Sequence, residues 1–238
     1  MLGQSAAAST QPVYLFDYKN TVPYLIGDLE YWIEPRVDVG WSNKTIGSGT
    51  PVNLGSAPLT GSINVTYNSS LGVIEEKQWS VNTYSVDIET QQSQTFLCIP
   101  WFDGTMTTGT RDFAQVGSLG LNAYQAQNEL GPSIYDGHCN PNQQLLNQDM
   151  NPGTYGMYGF ATWRRDSSLN NYRKYVNGAV VSVDSVFTRV SGGTGICWGR
   201  DSTDFRSGTI LKYNKQLSDS EVLSVYEYFR DNLYPEIA

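Results

Sequence analysis

From residue 29 onward, short runs of alternating apolar and polar residues are separated by intervals rich in glycine, proline, serine and asparagine. Successive side chains of a strand point to opposite faces, so this alternation predicts half-buried strands. Leu29, Tyr31 and Ile33 fall on one face, with Glu30, Trp32 and Glu34 on the other. Residues 35–61 read as loops, after which Ile63, Val65 and Tyr67 alternate with Asn64 and Thr66. Trp79 to Glu89 alternates as well, with a phase slip between Thr83 and Tyr84 that marks a bulge or the meeting of two strands. Thr95 to Trp101 is apolar on both faces, the pattern of a central strand between layers. Leu119, Leu121 and Ala123 mark another strand, and residues 125–153 read as a long excursion without periodicity. In Tyr155 to Trp163, Tyr155, Met157, Ala161 and Trp163 oppose Tyr158 and Phe160.

The strongest local signal is Asn177-Gly178 between Tyr172–Val176 and Ala179–Val183. It predicts a two-residue type I′ hairpin, because both turn residues need positive φ. Ile196–Gly199 and Thr209–Tyr213 add two strands. One helix closes the chain. Ser218 and Glu221 have capping-box spacing, Val222, Tyr226, Phe229 and Leu233 share a face, and Pro235 follows as a stop. About ten strands and one helix predict an all-β sandwich with the helix docked on its edge or loops. Residues 1–27 lack a sustained period and read as an arm preceding a single domain at 28–238. Tyr14, Phe16, Tyr18 and Tyr24 are its docking residues, expected to order against another subunit or a particle shell.

Composition agrees with strands and loops. Only 16% of the 238 residues are charged, and Gly, Ser, Thr, Asn and Tyr abound. A net charge of −8 without a basic cluster in the sequence argues against nucleic acid and anionic membranes as partners. Cys98, Cys139 and Cys197 lie too far apart for a zinc knuckle or redox pair; three reduced thiols are simpler than one disulfide with a free thiol. Met1–Thr10 lacks the basic start and apolar stretch of a secretory signal, so Asn43, Asn64 and Asn68 are not expected to be glycosylated.

The last third of the chain resembles the concanavalin A-like, laminin-G-like jelly-roll superfamily. The resemblance rests on Phe160-Ala-Thr-Trp163, Tyr175-Val-Asn-Gly178, Trp198-Gly199-Arg200, and Ile210-Leu-Lys-Tyr-Asn214 followed by Gln216-Leu-Ser218, Glu221-Val222 and Tyr226. Leu29-Glu-Tyr-Trp-Ile33 is an earlier echo. It covers about residues 155–230 and implies two antiparallel sheets face to face, a two-sheet jelly-roll sandwich. Similar domains occur in phage and viral particles, as decoration, capsid or fibre modules, and in extracellular lectins.

Catalysis is not expected. Glycan hydrolases on this fold place acids as Glu-x-Asp-x-x-Glu along one strand, whereas Asp87-Ile-Glu89 has no third acid in register and Glu75-Glu76 is adjacent. His138 is the single histidine, which excludes a multi-histidine metal site. No cofactor is expected: the resemblance would imply calcium in a rim loop holding Asp201 and Asp204, but two aspartates three apart more often serve turn chemistry. Trp79, Trp163 and Trp198 read as core or inter-sheet filler, while Trp101, Asp103 and Tyr135 are the ligand-binding candidates.

These readings favour a non-catalytic virion structural module, a decoration or tail-fibre component located in the virion. It would assemble with itself as a homo-oligomer and with other virion proteins. The alternative is a lectin-like module, extracellular, with glycans as partners.

Overall fold

The computed structural model describes residues 28–36, 48–49, 53–57, 59–60, 65–68, 70–76, 79–83, 93–102, 109–116, 119–126, 129–136, 156–167, 169–181, 185–188, 195–198 and 205–237. In chain order the strands begin with β1 (Leu29–Ile33), β2 (Ser48–Gly49), β3 (Leu59–Thr60), β4 (Val65–Asn68), β5 (Val73–Ile74) and β6 (Trp79–Thr83). There follow β7 (Ser93–Phe102), β8 (Gly109–Val116), β9 (Leu119–Ala126), β10 (Glu129–Asp136) and β11 (Tyr158–Arg164). The last are β12 (Leu169–Val176), β13 (Ala179–Val180), β14 (Ser185–Thr188), β15 (Gly195–Trp198) and β16 (Phe205–Tyr213), before helix α1 (Asp219–Asn232) and a 3-10 turn at Pro235–Ile237.

Among the described residues all pairings are antiparallel, in two sheets. One runs β13-β12-β11-β7-β16-β5-β4-β2, with β14 beside β13 on β12 and β1 beside β5 on β16; the other runs β10-β9-β8-β15-β6-β3. The chain is therefore all-β with one C-terminal helix. The sheets meet where Trp79 of β6 donates Nε1–H to Ser207 Oγ of β16, 3.1 Å away.

Helix α1 lies on the large sheet's outer face, not on an edge or on loops as the sequence suggested. Val222, Val225, Tyr226 and Phe229 join one core with Leu29, Trp32, Leu97, Ile99, Ala161, Tyr175, Leu211 and Tyr213 from adjacent strands. Each such side chain contributes about 1.5–3 kcal/mol on burial, so a wide sheet face is the favoured seat for an apolar helix stripe. The capping box forms: Ser218 Oγ accepts from Glu221 N–H at 3.3 Å, and Glu221 accepts from Ser218 N–H at 2.7 Å. Two orphan helix donors are thereby satisfied.

This docking explains a second departure. β1 and β11 were expected to alternate, yet Leu29, Tyr31, Trp32, Ile33 and Glu34 are all buried, as are residues 156–162. With a helix on one face and a sheet meeting the other, polar positions are covered too. Lys212 is wholly buried and pairs with Glu30; burial lowers its pKa, and the carboxylate opposes that shift. Gly159 lies so close to β7 that a Cβ there would stand 2.1 Å from Phe96 O.

The Asn177-Gly178 turn forms as expected, with φ values of 48° and 76°. Val176 pairs with Ala179, and Asn177 Oδ1 accepts from Met157 N–H at 2.8 Å, tying the turn to the start of β11. β10 lies inside the stretch read as a loop and pairs in full register with β9, Glu129 against Ala126 through Asp136 against Leu119. β8 and β14, and the two-residue β2 and β3, also lie in stretches without a strand signal. The arm at residues 1–27, with Tyr14, Phe16, Tyr18 and Tyr24, lies outside the described residues.

Candidate functional site

Trp101 stands near the end of β7, where the outer face of the large sheet runs beyond the helix. Along β7, Leu97 and Ile99 belong to the core beneath α1, and alternation sets Trp101 on the same face. Its register partner on β16 is Arg206. The Arg206 guanidinium lies over the indole, 4.9 Å from the ring centroid, a cation–π geometry. Arg206 also pairs with Glu75 at 2.8 Å, and the second Glu75 oxygen accepts from Asn68 Nδ2–H at 2.9 Å. Trp101 is half-buried, Arg206 is 17% exposed and Glu75 36%. An indole, a guanidinium, a carboxylate and an amide thus follow one another from β7 over β16 and the residue after β5 to β4. Such a row offers an aromatic surface with fixed donors and acceptors beside it.

A second indole of this kind sits at the other end of α1. Trp163 of β11, expected in the core, is half-buried, and the Arg173 guanidinium lies 5.7 Å from its ring centroid. Asp219 Oδ1 accepts from Arg173 at 2.7 Å and from Tyr175 O–H at 2.9 Å. Burial, and then the bond to Asp219, keep the Tyr175 hydroxyl protonated well above its ordinary value. Trp79 and Trp198 are buried, as expected.

A third polar cluster is structural. Buried Glu34 accepts from Tyr234 O–H at 2.7 Å and Arg36 N–H at 2.9 Å, and burial raises its pKa. Arg36 stacks 3.9 Å from the Tyr234 ring centroid and donates to Leu233 O at 2.6 Å and Leu71 O at 2.9 Å. These bonds clasp the C-terminus to β1 and the β4–β5 turn.

Of the sequence candidates, Trp101 alone is described with its side chain. Tyr135 falls in β10 rather than a loop, and its side chain lies outside the described residues, as do Asp103, Asp201 and Asp204. Phe102, at the end of β7, is the register partner of Phe205, at the start of β16. Among the described residues no group of three or more His, Cys, Asp or Glu could hold a metal ion. His138, Cys139 and Asp87–Glu89 are also outside them; Cys98 is a buried free thiol whose pKa burial raises well above 9.0. Arg206, Glu75 and Asn68 escape a reading of the sequence, because no local signal marks them. They reach Trp101 only through strand pairing across some 30 to 100 residues of chain.

No protein-family model matches the chain, and no curated protein matches it significantly. Solved structures do share the fold, and two groups of them stand out. A Trypanosoma rangeli sialidase in complex with 2,3-difluoro-KDN superposes with a TM-score of 0.56 at 13% identity, over 89% of this chain and 34% of that one. The same sialidase in complex with sialic acid gives 0.52 at 13% identity, with the same coverages. A structure of botulinum neurotoxin type C, whose cell entry depends on interaction with two ganglioside molecules, gives 0.53 at 8% identity over 85% of this chain and 51% of that one. The chain therefore spans about a third of the sialidase and half of the toxin structure.

The exclusion of enzymes drawn from the sequence does not stand. Sialidases are enzymes, and their structures share this fold. The missing Glu-x-Asp-x-x-Glu pattern speaks only against hydrolases that use that pattern. None of the three structures reported comes from a viral particle, so the preference for a virion module gains no support from them.

Proposed function

We propose that this chain is a carbohydrate-recognition module, a lectin-like sandwich of the two-sheet jelly-roll kind, acting at an extracellular surface. The observation that carries this reading is the row Trp101, Arg206, Glu75 and Asn68 on the outer face of the large sheet. A half-buried indole can stack on the apolar face of a pyranose, while ordered polar groups beside it select the hydroxyl pattern. Arg206 and Glu75 hold each other in place, so little side-chain entropy is lost when a sugar binds. The fold likeness adds weight, because one neighbouring structure is a complex with sialic acid and another belongs to a toxin whose cell entry depends on gangliosides.

The test is a glycan array on the purified chain, repeated with Trp101→Ala and Arg206→Gln and in the presence of a calcium chelator. Binding of a defined glycan set, weakened about tenfold or more by either substitution (about 1.4 kcal/mol) with an unchanged circular dichroism spectrum, is the expected result. Sensitivity to the chelator would bring Asp201 and Asp204 into the site. Release of free sugar is followed on the same glycans, since the fold occurs in sialidases. A blank array, or binding indifferent to both substitutions, would overturn the reading.

A further inference from the structure

Trp163 is the second half-buried indole on the outer face, and its surroundings are cationic in a chain of net charge −8. Arg173 lies against its ring, 5.7 Å from the centroid. Arg165 follows two residues after Trp163, and its N–H still bonds across the hairpin to Leu169 O at 3.0 Å. Pairing thus persists to Arg165, so strand alternation carries it to the face of Trp163, about 7 Å further along. Arg173 lies against the indole, and Arg165 follows it on the same face, one alternation step beyond.

The nearby carboxylates are committed elsewhere. Asp166 Oδ1 caps the turn by accepting from Leu169 N–H at 2.8 Å. Asp219 Oδ1 receives both Arg173 and Tyr175. Arg165 is exposed and has no ion-pair partner among the described residues. A planar guanidinium presents paired donors that match both oxygens of a carboxylate, and an ion pair of that geometry is stronger than a neutral hydrogen bond.

We infer that Trp163, Arg165 and Arg173 form a second sugar-binding position, selective for pyranoses that carry a carboxylate. This rests on the carbohydrate reading above. The indole takes the apolar face of the ring and Arg165 takes the carboxylate, while Arg173, pinned by Asp219, borders the site. One indole with two arginines on its face suits a compact acidic ring; a polyanion would be met by a longer track of charges.

The experiment is calorimetric titration of the full chain with 3′-sialyllactose, lactose and a poly-glutamate peptide, on the parent, Arg165→Gln and Trp101→Ala. Sialyllactose should bind at least tenfold more tightly than lactose. Arg165→Gln should remove about tenfold of that preference (about 1.4 kcal/mol), the scale of one charge-assisted hydrogen bond, and leave lactose within twofold. Its melting should match the parent, because the side chain is exposed. Preference for sialyllactose that survives Arg165→Gln but disappears with Trp101→Ala would overturn the second position and leave the carbohydrate reading standing. Equal binding of poly-glutamate would make the patch a general anion surface and overturn the sugar assignment. If no sugar binds any form, both readings fall.

Discussion

Replacing Gly178 with alanine adds one carbon atom where the hairpin presses on the helix. Gly178 has a φ of +76°, in the left-handed region, where an L side chain costs about 1–2 kcal/mol. The added Cβ would also lie 2.9 Å from Leu223 Cδ1 and 3.1 Å from both Leu223 Cα and Tyr226 Cβ. Overpacking of this kind costs about 1–3 kcal/mol. Alanine restricts the unfolded chain too, which offsets about 0.4–1 kcal/mol. The net loss is roughly 1–4 kcal/mol, or a fall in Tm of roughly 3–12 °C for a chain of this length. Urea titration measures it as a lower midpoint at unchanged slope. The two causes separate in a double variant. Leu223 is 43% exposed, so Leu223→Ala alone should cost little, yet it removes the closest contact. In the Gly178→Ala background it should recover about 1 kcal/mol, the coupling expected of touching side chains, and leave the backbone strain. Gly178→Ala unfolding within about 0.5 kcal/mol of the parent, the ordinary range of a surface substitution, would refute both the turn and the seat of the helix on it.

Two further outcomes follow from the geometry. Ser218→Ala removes the acceptor of Glu221 N–H and should cost about 1 kcal/mol in urea unfolding; a loss below about 0.3 kcal/mol, under the range measured for such caps, would mean that the cap is dispensable. For Glu34, burial raises the folded carboxyl above its ordinary 4.5, so the folded state holds that proton more tightly than the unfolded chain. Its contribution to stability is complete below about pH 4.5 and is lost as pH rises through the folded value. Glu34→Gln abolishes that loss, so the variant should gain on the parent as pH rises above about 4.5 in urea titrations, and a pH-independent difference would contradict the assignment.

Some features are legible in the residues alone. Asn177-Gly178 fixes its turn because positive φ at two successive positions is a local requirement. Ser218 and Glu221 fix a helix start because capping involves backbone three residues away. Thr95–Trp101 declares a central strand through apolar residues on both faces. β10 is not legible in this way, because Glu129–Asp136 has no alternation of its own and is a strand by virtue of pairing with β9. Trp163 reads as core because it falls in step with Met157 and Ala161, yet it lies at the strand's rim and is only half-buried.

The sequence by itself therefore determined what depends on neighbours a few residues apart: the all-β class, the hairpin turn, the capped helix and most strands of the large sheet. Only the tertiary structure decided which face the helix covers and which residues stand beside Trp101 and Trp163. Arg206 reaches Trp101 through the register of β16 on β7, and Arg173 meets Asp219 only because α1 returns across the sheet. Such contacts depend on how distant segments share one hydrophobic face, and a side chain's alternation along its own strand carries no record of its partner across the sheet.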